Sequence, residues 1–165
     1  MTPNELLAAI GPEMQLQLMR YMQEEQRPAY KAVVNTIAGQ RKLRPTFVME
    51  KSKPKQAEWV LDQLRLRSNE GVTEQLFQIW LLKGNAPMLI SFLDTVGIAH
   101  DGKGEVMELP GDIDEAKAKE AVDALVKAHP VKMVALYLTM FQRQRPGGWP
   151  GLTKAMEAHA DLKLA

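Results

Sequence analysis

Proline and glycine divide this chain at short intervals, and between these breaks the apolar residues recur at the spacing of an α-helix. On one segment Met14, Leu18 and Met22 are each four residues apart, which places them on one helix face. Breaks fall at Gly11-Pro12, Gly39, Gly71, Gly84, Gly97, Pro130 and Arg145-Pro146-Gly147-Gly148. The pattern predicts an all-α fold, a compact bundle or short stack of about seven to nine helices.

Several helix starts carry their own signals. Thr2-Pro3-Asn4-Glu5 has the form of a capping box with proline in the first turn, and Asp112-Ile113-Asp114-Glu115 has a similar form. Thr73 is predicted to cap a helix after the break at Gly71. The segments 73–83 and 131–142 are apolar nearly all round and are predicted to be the most buried helices.

Two segments do not follow the helical pattern. Thr46-Phe47-Val48-Met49 fits a strand as well as a helix. Asp101-Gly102-Lys103-Gly104 is strong turn chemistry between two short extended pieces, and it predicts at most one small hairpin or ordered loop near 98–109.

A repeat is one further interpretation of the helical pattern. Pro28, Pro87 and Pro146 are separated by equal intervals of 59 residues, and apolar pairs four residues apart precede each of them. This favours three degenerate repeats of about 59 residues, each a few helices stacked on its neighbours. Chance agreement is the alternative, since 45% of the residues are apolar.

A chain of 165 residues fits a single helical domain. An N-terminal helical lobe, 1–40, joined by a basic connection, 40–55, is a second interpretation. The chain has no cysteine, its first charge is Glu5 with no basic stretch before it, and no stretch approaches 18 uninterrupted apolar residues. We therefore expect a soluble, cytoplasmic protein that does not enter a membrane.

The familiar motifs for nucleotide binding, nucleophilic catalysis and zinc binding do not occur in the sequence. His129 precedes Pro130 at a helix junction, where a capping role is favoured, and His159 does not share a helix face with Glu157 and Asp161. His100 lies in the predicted turn beside acidic residues, where a solvated turn is favoured over a metal or acid–base site. We expect no cofactor, no metal and no catalytic residue. An enzyme remains the second alternative, and it would need His100 or His129 beside a buried carboxylate.

Charge is unevenly distributed along the chain, although the formal net charge is only +1. Segment 41–67 carries eight cations and three anions, whereas 101–120 carries seven acids and three lysines. A nucleic-acid-associated protein is therefore the first alternative function, although Phe47 and Trp59 are the only aromatic residues available there for stacking. Its candidate binding residues are Arg41, Lys42, Arg44, Lys51, Lys53 and Lys55.

Trp149 lies in a loop that two glycines and two prolines keep from being helical. The favoured interpretation is a core plug that fixes the terminal helix, because burial recovers the large apolar area of the indole. The alternative is an exposed anchor for a partner, with Arg143 and Arg145 beside it, because tryptophan and arginine are enriched in binding hot spots. With a helix-rich architecture and no recognisable site, the sequence favours a non-enzymatic protein–protein interaction or scaffold module. Its expected partner is another protein, and nucleic acid is less favoured.

Overall fold

The computed structural model describes residues 1–164, and these residues are built from α-helices. The predicted all-α fold is confirmed. Ten α-helices and two short 3-10 turns are present in the described residues. The helices are α1 (Pro3–Ala9), α2 (Gly11–Glu25), α3 (Arg27–Gln40), α4 (Pro45–Met49), α5 (Lys53–Leu64), α6 (Glu70–Gly84), α7 (Ala86–Val96), α8 (Glu115–Ala128), α9 (Val131–Gln142) and α10 (Pro150–Glu157). The 3-10 turns are Arg67–Asn69 and Ala160–Leu162.

The described residues form one helix more than the seven to nine that were predicted. The additional helix is α4, whose sequence fitted a strand as well as a helix. It has only five residues, too few for the spacing of apolar positions to distinguish the two conformations. Pro45 occupies its first turn, where the fixed φ of proline suits a helix start. Val48 is the one residue of α4 that is buried.

The predicted capping box is confirmed at the start of α1, whereas the start of α8 has a simpler cap than predicted. At α1, the Thr2 hydroxyl accepts from the Glu5 backbone N–H at 3.2 Å, and a Glu5 carboxylate oxygen accepts from the Thr2 N–H at 2.7 Å, which completes the capping box. At α8 the cap is Asp114 alone, which accepts from the Lys117 N–H at 3.1 Å.

The predicted break at Gly71 and cap at Thr73 are wrong, because both residues lie inside α6. The α5 helix stops earlier, at Leu64, and α6 starts at Glu70 directly after a 3-10 turn. Inside the helix the Thr73 hydroxyl lies 3.3 Å from the Asn69 carbonyl oxygen and 3.1 Å from the Asn4 side-chain oxygen, and these two acceptors share its single proton. A glycine inside a helix costs only about 1 kcal/mol relative to alanine, which neighbouring packing can offset.

The chain divides into two compact units, with unit 1 spanning Met1–Trp80 and unit 2 beginning at Leu81. The basic segment 40–55, interpreted from the sequence as a connection, lies within unit 1. In unit 1, α2, α3, α4 and α5 pack on one another. In unit 2, α8 packs between α7 and α10.

The α9 helix forms the centre of unit 2, as its apolar sequence predicts. Eight of its twelve residues are buried. The ring of Phe92 meets those of Tyr137 and Phe141 edge-on, with centroid distances of 5.5 and 5.2 Å. By contrast, the prediction that 73–83 is among the most buried helices is wrong, because Gln75 and Gln78 are exposed on α6 and Ile79 and Leu82 are only half-buried.

The segment after α7 is an ordered loop. Residues 1–164 contain no strand, and the only β-type pairing recorded among them is one antiparallel bridge between His100 and Val106. The turn predicted at Asp101–Gly104 is present, with Gly102 and Gly104 at positive φ.

The 59-residue repeat stays a prediction. Pro28 and Pro87 both lie in the first turn of a helix, α3 and α7, but Pro146 lies in the loop before α10. No single helix of the described chain is long and apolar enough to cross a membrane. Within residues 1–164, the length and apolar composition needed to cross a membrane are reached only by two consecutive segments taken together. These are Arg67–Gly84 and Ala86–Val96, which are separated by a break at Asn85.

Candidate interaction surfaces

Trp149 fills the core of unit 2. Its side chain has no exposed area, and its ring lies 4.9 Å from that of Phe141 between centroids. The indole Nε1–H donates to the Pro110 carbonyl at 3.0 Å, and the Trp149 backbone N–H donates to the Gln142 side chain at 2.7 Å. The Trp149 backbone carbonyl accepts from the Thr153 N–H, and this hydrogen bond belongs to the first turn of α10. The core-plug interpretation therefore describes its position, and direct contact between the indole and a partner stays a prediction that would require this loop to open.

The two arginines beside Trp149 have different surroundings. Arg145 is half-buried, its guanidinium lies 5.7 Å from the Trp149 ring centroid, and it donates to the Gly111 carbonyl. Arg143 is exposed and its guanidinium approaches the Met140 sulfur at 3.6 Å. Trp149 and Arg145 thus hold two consecutive backbone carbonyls, at Pro110 and Gly111, at one end of the loop that joins α7 to α8.

We call residues 99–112 of that loop the acidic loop. Its other end is fixed on α7 through His100, whose Nε2 lies 2.7 Å from an Asp94 carboxylate oxygen. The His100 Nδ1 accepts from the Gly102 backbone N–H at 3.0 Å, so in the neutral ring the proton resides on Nε2. Both ring nitrogens are engaged and Asp94 is 65% exposed, so this pair lacks the buried carboxylate that an enzyme site was expected to show.

A tight turn follows His100. One carboxylate oxygen of Asp101 accepts from the backbone N–H of Lys103 at 2.8 Å and of Glu105 at 3.1 Å. The hydrogen bond from Lys103 is the main reason that the pKa of Asp101 lies below its ordinary value. Gly104 packs against α7, where an added Cβ would lie 3.0 Å from the Leu89 Cβ, and its φ of 102° favours glycine.

The acidic loop presents apolar side chains to solvent. Met107 is 71% exposed and Leu109 is 43% exposed, and the acidic residues Glu105 and Glu108 stand beside them. Loops commonly carry binding residues on a rigid scaffold. Sequence reasoning did not select Met107 or Leu109, and the order Glu-Val-Met-Glu-Leu over 105–109 contains no strict alternation that could have indicated their exposure.

A second exposed stretch, which we call the basic surface, comprises residues 41–55 in unit 1. It holds all six cations selected from the sequence, against the single anion Glu50. Five of the six are exposed, and Lys51 is half-buried with its Nζ 4.6 Å from the Phe47 ring centroid. Phe47 is 49% exposed and Leu43 is 36% exposed, so this stretch also combines charge with apolar side chains.

Two buried glutamine side chains hold the backbone of the basic surface through hydrogen bonds. Gln56 donates to the Met49 carbonyl at 3.1 Å and to the Lys51 carbonyl at 2.8 Å, and Gln23 donates to the Lys53 carbonyl at 3.0 Å.

The hydroxyl of Tyr30 joins the two amides. It accepts from Gln23 and donates to Gln56, both at 3.1 Å. Burial raises the pKa of Tyr30, and the hydrogen bond from Gln23 opposes that shift. Sequence reasoning missed this network, because an isolated glutamine on a helix has no pattern that distinguishes a buried amide from a surface one.

The remaining histidines do not assemble a metal site. His129 is the C-cap residue directly after α8, in line with its predicted capping position. The His159 Nε2 lies 2.6 Å from an Asp123 carboxylate oxygen, and the Lys119 Nζ lies 3.0 Å from the other. The hydrogen bond with His159, followed by that with Lys119, lowers the pKa of Asp123. Within residues 1–164, no group of three or more His, Cys, Asp or Glu side chains could hold a metal ion.

Near the start of α10, a cleft of about 400 Å³ lies between the first turns of α8 and α10. A Cβ at Gly151 would overlap the Ile113 carbonyl oxygen, so glycine permits the close approach of the two segments. The Lys154 ammonium and the Glu115 carboxylate are 3.4 Å apart at this cleft, which leaves a mixed and exposed polar lining.

Comparison with protein families, with curated proteins and with solved structures found no match for this chain.

Proposed function

We propose that this chain is a protein–protein interaction module that contacts its partner through the acidic loop. The observation that carries the proposal is the exposure of Met107 and Leu109 on a loop fastened at both ends. Methionine is enriched in protein interfaces, and loops positioned by a rigid scaffold commonly carry binding residues. The residues beside Trp149 act indirectly in this proposal, because Trp149 and Arg145 position the loop.

Preorganisation supports this function. Binding a flexible loop costs the free energy of ordering it, whereas a loop already in its bound conformation avoids most of that cost. Here the turn at Asp101, the contact of Gly104 with Leu89 and the bonds to the Pro110 and Gly111 carbonyls order the loop beforehand. Because Met107 is 71% and Leu109 43% exposed, their full burial would contribute about 1–2 and about 1 kcal/mol.

The charge of the loop selects the chemistry of its partner. Four acidic residues and one lysine lie within 99–112. Complementary charge raises association rates and disfavours wrong partners. The expected binding site is therefore an apolar surface of a protein, flanked by arginine or lysine.

The test compares two double variants of the full chain. Met107→Ser/Leu109→Ser removes the apolar contact, and Leu16→Ser/Leu66→Ser is the control because those leucines are 50% and 43% exposed elsewhere. Immobilised wild type and both variants are exposed to native lysate, and retained proteins are quantified by mass spectrometry. The loop variant should retain the specific partner about tenfold less than wild type, and the control should retain it normally.

Equal retention by the two variants, with unchanged melting temperatures, would exclude the acidic loop as the binding site. A loss of retention in both variants would indicate general surface stickiness and would also contradict the proposal.

Nucleic-acid binding through the basic surface is a second candidate, favoured by the exposed Phe47 ring among six cations. Affinity should then fall steeply with salt, and neutralising Lys51, Lys53 and Lys55 to Gln should reduce that dependence by about two units of slope for a single strand. Absence of any complex with RNA or single-stranded DNA at about 50 mM salt would eliminate this candidate.

A further inference from the structure

The acidic loop and the basic surface are chemically complementary. Each places two partly exposed apolar side chains among charges of one sign, Met107 and Leu109 on the acidic side, Leu43 and Phe47 on the basic side. The acidic loop has four acids and one cation, and the basic surface has six cations and one acid. An apolar centre with flanking charges of opposite sign is the arrangement expected of two surfaces that bind each other.

Both surfaces remain exposed in the single chain, so each is accessible to another molecule. We propose that the acidic loop of one copy docks onto the basic surface of a second copy of this chain. The inference rests on the proposed function, since it identifies the partner of the acidic loop. The loop requires an apolar protein surface flanked by cations, and residues 41–55 of the same sequence provide one.

The composition of the basic surface favours a protein over nucleic acid as its occupant. Binding to single strands relies on aromatic rings on which successive bases stack. Phe47 is the one exposed aromatic ring in 41–55, and Lys51 already lies over it. Leu43 offers no stacking surface, but an aliphatic side chain suits the thioether of Met107 or the side chain of Leu109.

Both members of the pair are held in shape before they meet. Trp149 and Arg145 hold the acidic loop through hydrogen bonds to the Pro110 and Gly111 carbonyls. Gln23 and Gln56 hold the backbone of the basic surface in the same way. The contact joins two different surfaces, so it is heterologous, and it closes into a ring or continues into longer assemblies. Because the apolar area is small, we expect a Kd on the order of 100 μM.

The first measurement is the mass of nuclease-treated, full-chain protein by sedimentation velocity, from about 10 μM to 1 mM, in about 50 and 500 mM salt. The average mass should rise with concentration at low salt. Association should weaken about tenfold at high salt, because exposed charges more than a few ångströms apart are then screened.

The second measurement reverses charge on one surface at a time. Glu105→Lys/Glu108→Lys makes the loop basic, and Arg44→Glu/Lys53→Glu makes the basic surface more acidic. Arg44 precedes α4 and Lys53 begins α5, positions where a carboxylate interacts favourably with the helix dipole, so the second variant should fold. Each variant alone should self-associate at least about tenfold more weakly than wild type, whereas their equimolar mixture should associate.

The matched control is Glu24→Lys/Glu25→Lys. It makes the same change in total charge as the loop variant, at exposed positions at the end of α2. Its self-association should equal that of wild type.

Specific outcomes would overturn the inference. These are a monomeric wild type at every concentration, association unchanged by both charge reversals, association lost on nuclease treatment, or a mixture that fails to associate. A monomeric wild type whose Met107→Ser/Leu109→Ser variant still loses a lysate partner would reject the second copy and leave the proposed function intact. Equal lysate binding by that variant and its control would reject the proposed function itself.

Discussion

The acidic loop and the basic surface are both exposed and charged, but different kinds of contact hold them. In the acidic loop, side chains close in sequence make the turn, and one buried indole fastens the far end. In the basic surface, two amides from other helices, Gln23 in α2 and Gln56 in α5, hold backbone carbonyls from beneath.

This difference determines how each region responds to substitution. Loss of one residue in the acidic loop leaves the other fastenings in place, because the turn and the indole bond are independent. In the basic surface the two amides share the Tyr30 hydroxyl, so loss of one member leaves several buried polar groups without partners. Such networks are stabilising only when complete.

The largest effect is expected for Trp149→Ala. Removing a fully buried indole leaves a cavity beside Phe141 and should lower the free energy of unfolding by about 3–5 kcal/mol. Urea denaturation monitored by circular dichroism measures the change. Native-state amide exchange should also increase in 99–112 while 41–55 stays unchanged.

The control is Trp149→Phe, which keeps an aromatic ring but removes the hydrogen bond that the indole Nε1–H donates to the Pro110 carbonyl. It should lower the free energy of unfolding by less than the alanine variant does. A change within about 0.5 kcal/mol for Trp149→Ala would show that the indole does not plug the core.

Gln56→Ala should give the next largest effect. It leaves the Met49 and Lys51 carbonyls without their side-chain donor and Tyr30 without its acceptor, and should cost about 2–3 kcal/mol. Gln75→Ala, at an exposed position on α6, should change stability by less than about 0.5 kcal/mol. Amide exchange should increase at residues 50–53 in the Gln56 variant and remain unchanged in the acidic loop. Equal effects of the two glutamine substitutions would contradict the network.

Two buried tyrosines provide a smaller and finer test. The Tyr30 hydroxyl belongs to the network, whereas that of Tyr137 has no hydrogen-bond partner within the described chain. Burial raises the pKa of Tyr137. Tyr30→Phe should therefore cost about 1–2 kcal/mol, and Tyr137→Phe should leave stability unchanged or increase it by up to about 1 kcal/mol. Thermal and urea unfolding of both variants measure these changes in stability. A larger loss of stability for Tyr137→Phe than for Tyr30→Phe would contradict the hydrogen bonding described for the two hydroxyls.

The same contrast explains which parts of the structure could be predicted from sequence. The Thr2 capping box and the Asp101 turn depend on residues within three or four positions of each other, so their patterns are visible. The burial of Trp149 follows from the size of its apolar surface. The amide network joins α2, α3 and α5, and no local pattern encodes contacts between residues 23, 30 and 56. The exposure of Met107 and Leu109 was equally hidden, because apolar residues in a loop are buried as readily as exposed.

The smallest expected effect concerns acid sensitivity, which should distinguish the acidic loop from the basic surface. The pKa of Asp101 is lowered in the folded chain, chiefly by the hydrogen bond from Lys103. A carboxyl with a lowered pKa contributes stability above its unfolded value, about 3.9, and loses it as the pH falls through the folded value. Amide proton shifts of Lys103 and Glu105 should therefore titrate with a midpoint below about pH 3.9, while the side-chain amides of Gln23 and Gln56 stay constant. Asp101→Asn keeps a carbonyl acceptor that does not titrate and should abolish the transition at Lys103. A midpoint at or above about pH 3.9 in wild type, or an unchanged transition in the variant, would show that this carboxylate does not hold the turn.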